Sequence, residues 1–187
     1  MLSTTRVSRH LGLAALVCAG LLLTAGTASA QSGGTVAPGG ETSAAPTGPV
    51  GKAKLTKKGK AIAPANAPTA VVKAIAAGNR IRKKPYIYGG GHASFESKGY
   101  DCSGAVSYVL RGAGLIKSPM PSGPYMKWGL PGAGRWITVY ANGGHAYMTV
   151  AGLRFDTSAM GSGGNGPRWR AAKRSPRGFA VRHAEGF

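Results

Sequence analysis

A single cysteine lies at the head of an apolar stretch, "GYDCSGAVSYVL", at residues 99–110. The apolar residues that follow it fall on one helical face: Ala105, Val106, Val109 and Leu110. Gly112 and Gly114 then favour the end of a helix, so the helix is predicted to begin at or just before Cys102. Unpaired backbone N–H groups at a helix N-terminus stabilise a thiolate and lower the pKa of a cysteine there. The position favours a reactive nucleophile over a small buried thiol that only packs.

A thiolate nucleophile needs a neighbouring base, and histidine commonly serves as one. The four histidines differ in their surroundings: His10 falls in an N-terminal leader, His92 follows three glycines, His183 lies near the end of the chain, and His145 opens the predicted strand "HAYMTVA". A strand is rigid and can aim an imidazole at a helix terminus. We therefore predict that His145 is the base, the alternative being a histidine that only fills a surface or core position.

The first thirty residues are typical of a secretory signal peptide. Arg6 and Arg9 flank the start of the apolar run "LGLAALVCAGLLLTAG", and the small residues "TASA" predict cleavage after Ala30. The protein is then secreted, with no membrane span in the mature chain; an uncleaved anchor is the alternative. Since Cys18 would leave with the leader, Cys102 would be alone. An odd cysteine in a secreted protein indicates an intermolecular bridge or a free thiol.

The chain carries 24 Lys+Arg against 5 Asp+Glu, a formal net charge of +19. Loss of Arg6 and Arg9 with the leader leaves 22 − 5 = +17. Such a charge attracts polyanions, which for an exported protein are anionic cell-wall polymers, anionic lipid surfaces or nucleic acid. The sequence has no recognition-helix or zinc-knuckle pattern, so specific nucleic-acid binding is not expected.

Residues 31–65 are rich in Gly, Pro, Ser, Thr and Ala and then in Lys, which predicts a flexible cationic linker. This linker would either tether the protein to an anionic wall or act only as a spacer. Residues 66–187 have the length of one domain with a modest core, which we expect to be monomeric. A helix is predicted from near Ala67, ending at Gly78 or Asn79.

Strand-forming segments follow the helices: "RWITVY", "HAYMTVA", "LRFDT" and "GFAVRH". Because helices come first and closely spaced strands follow, the fold class is predicted to be α+β, with N-terminal helices packed on one side of a small antiparallel sheet. Trp128, Trp136 and Trp169 could stack on sugars or bases, although core packing is the commoner use of tryptophan.

Three segments, "PYIYGGGH", "YDCSGAVSYVL" and "GGHAYMTVAG", resemble the NlpC family of cell-wall cysteine peptidases. The resemblance runs from about Val71 to about Thr157. It implies a papain-like fold that hydrolyses an amide bond in the stem peptides of peptidoglycan, without a metal or other cofactor. It also implies that Cys102 is the nucleophile, that His145 is the base, and that the Tyr86 hydroxyl helps to hold the oxyanion.

The same resemblance implies a set of substrate contacts. Asp101 and Ser103 flank the nucleophile, and Tyr88 stands where the family usually has tryptophan. Ser122, in "MPSG", corresponds to a serine of the loop that lines the cleft. The family's third catalytic residue is a polar group that orients the histidine, and this chain has no histidine downstream of the base before His183.

Asp156 is the predicted orienting residue. If Ala151 and Gly152 form a two-residue hairpin turn, Tyr147 lies opposite Asp156. His145 then shares that face of the sheet as a diagonal neighbour of Asp156. A one-residue slip would turn Asp156 to the opposite face, and the alternative to an orienting role is an exposed aspartate in a turn.

These observations predict a secreted peptidoglycan endopeptidase that uses a Cys–His thiol mechanism. An amidase, a transpeptidase or an acyltransferase on the same fold would need the same pair of residues, since only the acyl acceptor differs. A cationic cell-wall-binding protein without activity is the second alternative, because the basic charge alone would serve it.

Overall fold

Two long helices lie against an antiparallel sheet in the computed structural model, which describes residues 48–158 and 165–187. The elements in chain order are β1 (Lys54–Leu55), β2 (Ala61–Ile62), α1 (Thr69–Ile81), α2 (Cys102–Gly112), α3 (Ser122–Tyr125), β3 (Leu130–Pro131), β4 (Ile137–Ala141), β5 (Ala146–Val150), β6 (Leu153–Asp156), β7 (Arg168–Arg170) and β8 (Ala180–His183). The predicted α+β architecture is confirmed. The predicted signal peptide and the first part of the predicted linker lie outside the described residues.

The larger sheet has six strands in the order β3-β8-β4-β5-β6-β7, and every neighbouring pair is antiparallel. Because side chains alternate along a strand, the sheet has an apolar face and a polar face. In β5, Ala146, Met148 and Val150 belong to the hydrophobic core. Tyr147 and Thr149 alternate with them and therefore lie on the polar face.

The central helix is α2, in which residues 103–110 are all buried. The neighbouring helix α1 lies against the apolar face of the sheet, since a Cβ added at Gly78 would collide with Trp169 and approach Phe155. Trp136 and Trp169 are 2% and 4% exposed, so both rings pack in the core rather than facing a ligand. In the described ranges, no helix has the length and apolar character needed to cross a bilayer.

Helix α1 continues past its predicted end at Gly78 or Asn79 and reaches Ile81. Gly78 is needed for the close approach of the Trp169 ring, and Asn79 has a long-range partner of its own. Its Oδ1 accepts a hydrogen bond from Ala61 N (2.9 Å), and its Nδ2 donates to Ala61 O (2.8 Å). Gly78 and Asn79 therefore make contacts with other elements. The sequence pattern alone does not distinguish residues of this kind from residues that end a helix.

Part of the predicted linker forms a two-stranded hairpin, in which β1 pairs with β2. Ala61 in this hairpin is 2% exposed, and Ala53 N donates a hydrogen bond to Ala151 O at 2.8 Å. The packed chain therefore starts before residue 66, the boundary that composition predicts. Small apolar residues and backbone hydrogen bonds hold the hairpin in place, while its lysine side chains stay exposed.

The glycines before and after Cys102 allow two backbone segments to approach each other closely. A Cβ added at Gly104, in the first turn of α2, would collide with the carbonyl oxygen of Gly90 and lie 3.1 Å from Gly91 Cα. Asp101 N also donates a hydrogen bond to Gly90 O at 3.2 Å. The glycine loop is thereby fixed against the start of α2, directly beside Cys102.

Replacement of Gly104 by alanine is expected to destabilise the fold by about 1–3 kcal/mol, because the added methyl group overpacks this backbone contact. Urea denaturation of the two proteins measures the difference. The matched control is Gly123→Ala in α3, where an added Cβ has no neighbour within 4 Å. Equal losses in the two variants would contradict the close approach.

Candidate active site

Cys102 is the first residue of α2, as the sequence predicts, and Asp101 caps the helix. Asp101 Oδ1 accepts a hydrogen bond from Gly104 N at 2.8 Å, so the cap defines where the helix begins. Cys102 is a free, half-buried cysteine. The helix start therefore holds the thiol at a fixed place, within hydrogen-bond reach of His145 and of the Ala146 backbone.

The hairpin between β5 and β6 brings His145 and Asp156 together. Its turn residues, Ala151 and Gly152, both have positive φ angles, 46° and 82°, as a two-residue type I′ turn requires. The observed pairing of Met148 with Phe155 continues the register that the sequence predicts, which leaves His145 and Asp156 on the same face. His145 Nε2 lies 3.0 Å from Asp156 Oδ1.

The Asp156 carboxylate is completely buried, so it is not an exposed aspartate in a turn. Oδ1 also accepts hydrogen bonds from Ser158 N and Ser158 Oγ, both at 2.9 Å. Oδ2 lies 3.1 Å from Arg174 Nη1 and 3.5 Å from Arg154 Nε. Burial raises the pKa of Asp156, but the hydrogen bonds from His145 and Ser158 outweigh it and hold this pKa well below its ordinary value. The group is therefore a carboxylate at any physiological pH.

The thiol and the imidazole shift each other's pKa values in the directions that favour charge. Burial raises the pKa of Cys102, but hydrogen bonds from His145 and from Ala146 N–H outweigh it, so the net pKa is lowered. Burial lowers the pKa of His145, but its hydrogen bonds to Asp156 and Cys102 prevail and raise this pKa to about 9. Both shifts therefore favour the charged forms, a thiolate beside an imidazolium.

Cys102 opens into a cleft of about 470 Å³. All five remaining residues that the sequence assigns to the site line this cleft: Tyr86, Tyr88, Asp101, Ser103 and Ser122. Ser122 Oγ lies 3.4 Å from Gly143 O, which connects α3 to the loop between β4 and β5. Tyr88 is 90% exposed and stands at the rim. The structure thus brings every predicted site residue to one place.

Tyr86 lines the cleft with a side chain that remains protonated. Burial raises the pKa of its hydroxyl, and the nearby Cys102 and Asp101 add to this increase. A protonated hydroxyl can donate a hydrogen bond to a developing negative charge, which an ionised one cannot.

His92 is a cleft residue to which the sequence assigns no role. Its Nε2 lies 3.0 Å from Asp101 Oδ1 and 3.0 Å from Ser103 Oγ. Asp101 Oδ2 also accepts a hydrogen bond from Gly89 N at 3.1 Å, so both carboxylate oxygens already bind groups of this chain. The one sequence signal for the contact of His92 with Asp101 and Ser103 is that His92 directly follows the glycine loop. The contact forms only when this loop folds back on α2.

Arg174 and Arg154 are further site residues that the sequence does not single out. Arg154 is 2% exposed and lies on the polar face of β6. Arg174 belongs to an irregular segment between β7 and β8, 18 residues from Asp156. In a chain with 24 basic residues, no local pattern marks these two arginines.

No protein-family model matches the chain, and no curated protein matches it. Solved structures similar to it include the Resuscitation Promoting Factor Interacting protein RipA mutated at a cysteine, with 23% identity and a TM-score of 0.44. That match covers 61% of this chain and 62% of the RipA chain, so the protein spans less than two thirds of that relative. RipA mutated at a glutamate gives 23% identity, a TM-score of 0.45, and coverage of 72% and 69%.

RipD of Mycobacterium tuberculosis is also similar, with 19% identity, a TM-score of 0.46, and coverage of 63% of this chain and 98% of RipD. RipD is described as a non-catalytic NlpC/p60 domain protein adapted to peptidoglycan binding. The solved structures similar to this chain thus include a protein of the family that its motifs resemble. With sequence identities below 25% and TM-scores below 0.5, these similarities do not assign an activity to this chain.

Alkylation of Cys102 by iodoacetamide at pH 6 is expected to be faster than that of an ordinary thiol, which is less than about 1% ionised at this pH. His145→Gln should slow this reaction at pH 6 by about tenfold or more, because the hydrogen bond that stabilises the thiolate is lost. Mass analysis of the peptide that carries Cys102 gives the rate at this residue alone. His183→Gln is the matched control, since His183 Nδ1 contacts Gly132 O instead. Equal rates in all three proteins would rule out the charged pair.

Proposed function

We propose that the protein is a secreted peptidoglycan hydrolase, a cysteine endopeptidase that cleaves an amide bond in the stem peptide. The observation that carries the proposal is the hydrogen-bonded series Cys102–His145–Asp156, which opens into a cleft lined by the other predicted site residues. A thiol, an imidazole and a buried carboxylate in this order are the parts that nucleophilic acyl transfer requires.

In the proposed reaction, the Cys102 thiolate attacks the carbonyl carbon of the amide. The His145 imidazolium then gives its proton to the departing amine, and a thioester remains on Cys102. His145 next takes a proton from water, which attacks the thioester and releases the acyl product. Asp156 keeps the imidazole in one orientation throughout, because it engages Nε2 and leaves the other ring nitrogen, Nδ1, for the thiol.

The tetrahedral intermediate carries a negative oxygen that needs hydrogen-bond donors. The backbone N–H of Cys102 is one candidate, because the first N–H groups of a helix have no acceptor within their own helix. The Tyr86 hydroxyl, which stays protonated beside Cys102, is the second. Both would act on charge that develops only during the reaction.

The choice of peptidoglycan rests on the sequence motifs and on charge. The lysines of the N-terminal hairpin are all exposed: Lys52, Lys54, Lys57, Lys58 and Lys60. They would attract the protein to anionic wall polymers, while the cleft takes the stem peptide. Secretion follows from the predicted leader and belongs to the same proposal.

Two other classes of function are compatible with parts of the site: a different reaction on the same fold, and wall binding without catalysis. A transpeptidase or an acyltransferase would pass the acyl group from Cys102 to an amine or alcohol, and an amidase would cut a different bond of the wall. A non-catalytic wall-binding protein would resemble the description of RipD. The preformed Cys102–His145–Asp156 series favours catalysis, because binding alone gives no reason for a buried carboxylate behind a histidine.

Incubation of purified peptidoglycan with the protein is expected to release stem-peptide fragments, and Cys102→Ala should reduce the release by about a thousandfold or more. Mass analysis of the fragments identifies the bond. Sedimentation with insoluble peptidoglycan is the control, because the variant should still bind. Equal release by the variant would contradict the thiol mechanism, binding without release by either protein would favour the wall-binding alternative, and fragments joined to a new amine would favour transpeptidation.

Tyr86→Phe is expected to lower kcat by about tenfold to a hundredfold with little change in KM, because it removes a donor that acts on the oxyanion only. Steady-state kinetics on a soluble stem peptide measure both constants. Tyr140→Phe is the matched control, since the Tyr140 ring stacks on Tyr147 at 4.5 Å on the polar face of the sheet. An unchanged kcat in Tyr86→Phe would remove the tyrosine from the mechanism.

A further inference from the structure

Arg174 reaches the back of the candidate active site from the segment between β7 and β8. Its Nη1 lies 3.1 Å from Asp156 Oδ2, 2.7 Å from Ser158 Oγ and 3.3 Å from His145 Nε2. A single nitrogen of this arginine therefore touches the carboxylate, the imidazole, and the serine that also binds the carboxylate.

The two oxygens of Asp156 have different partners because of this arrangement. Oδ1 accepts from Ser158 and pairs with His145, whereas Oδ2 pairs with Arg174. With Arg174 bound to Oδ2, a rotation of the carboxylate away from His145 would break an ion pair inside a completely buried group. The arginine thereby favours the orientation in which Oδ1 faces the imidazole.

Aromatic rings hold the guanidinium group in place. Its carbon lies 5.2 Å from the centroid of the Tyr147 ring and 5.3 Å from the centroid of the Phe179 ring. Both distances are those of favourable cation–π contacts. The Arg174 side chain is 26% exposed, so the positive charge is partly shielded from water. A cation held this way keeps a fixed distance from His145.

We propose that Arg174 is a positioning residue, which holds the Asp156 carboxylate toward His145 and places a fixed positive charge beside the imidazole. The proposal rests on the function proposed above and adds to it the control of the charged Cys102–His145 pair. The proposed role of Arg174 applies to the protein without substrate, because all the contacts on which the proposal rests are present there.

The charged and titratable groups that face His145 come from several elements: Cys102 from α2, Asp156 from β6, Tyr147 from β5 and Arg174 from the segment before β8. Arg154, also on β6, pairs with Asp156 behind them. Asp101, at the start of α2, acts on Cys102 and raises its pKa. Loss of the clamp would weaken the pairing of Asp156 with His145, which destabilises the imidazolium beside Cys102 and raises the pKa of Cys102. The Arg174 charge itself disfavours the imidazolium, so the loss of this charge acts in the opposite direction. We expect the clamp to prevail, because Asp156 Oδ1 lies closer to His145 Nε2, at 3.0 Å, than Arg174 Nη1 does, at 3.3 Å.

The test is the pH dependence of Cys102 alkylation by iodoacetamide in the full-length chain, read by mass analysis of the peptide that carries this residue. For Arg174→Gln and Arg174→Met, the midpoint of the rate profile is expected to move to higher pH by at least about half a unit. Arg174→Lys keeps the charge and should restore the midpoint of the unaltered protein. Arg177→Gln, an exposed arginine of the same segment, is the matched control for net charge and should leave the midpoint in place.

The outcomes separate this proposal from the proposed function. A low midpoint in the unaltered protein that does not move in Arg174→Gln or Arg174→Met would overturn the role of Arg174 and leave the charged pair intact. An ordinary thiol midpoint in the unaltered protein would contradict the charged pair itself. If circular dichroism shows that neither neutral variant folds, Arg174 is a structural residue and the proposal is wrong. An equal shift in Arg177→Gln would attribute the effect to net charge and also overturn it.

Discussion

The pairing of the buried Asp156 carboxylate with His145 is the interaction on which the rest of the site depends. A fully buried charge without partners would cost several kcal/mol, so the fold must provide donors around it. They come from separate parts of the chain: His145 before β5, Ser158 just after β6, and Arg174 from the segment before β8. The residues just after β6 and the segment before β8 therefore both contribute to the surroundings of His145.

The register of one hairpin decides whether this pairing exists. Ala151 and Gly152 both adopt positive φ, and the resulting tight turn leaves no room for a one-residue slip. A slip of β6 would send Asp156 to the apolar face, among residues that pack on the helices, and would move the core residue Phe155 to the polar face. Core packing and active-site assembly therefore select the same register.

Local signals were enough to predict the start of α2, the strands β4 to β6 and β8, and the position of Asp156. Each depends on alternation, helix capping or turn chemistry within a few residues. The sequence does not reveal the roles of His92 and Arg174, because each lies in an irregular segment whose path no local pattern predicts. The sequence does not predict the N-terminal hairpin for another reason. Only two small residues of this hairpin, Ala53 and Ala61, are buried, and they are not conspicuous in a Lys-rich segment.

The sheet lowers the pKa of Cys102, in addition to the helix start that the sequence emphasises. The backbone N–H of Ala146, the first residue of β5, donates to Cys102 beside the bond from His145. This matters because Asp101 caps the same helix and its charge opposes the thiolate. The chain has only two aspartates, Asp101 and Asp156, and both are buried at the candidate site. Asp101 is paired with His92, and Asp156 is paired with His145 and with two arginines, so each buried carboxylate already has partners within this chain.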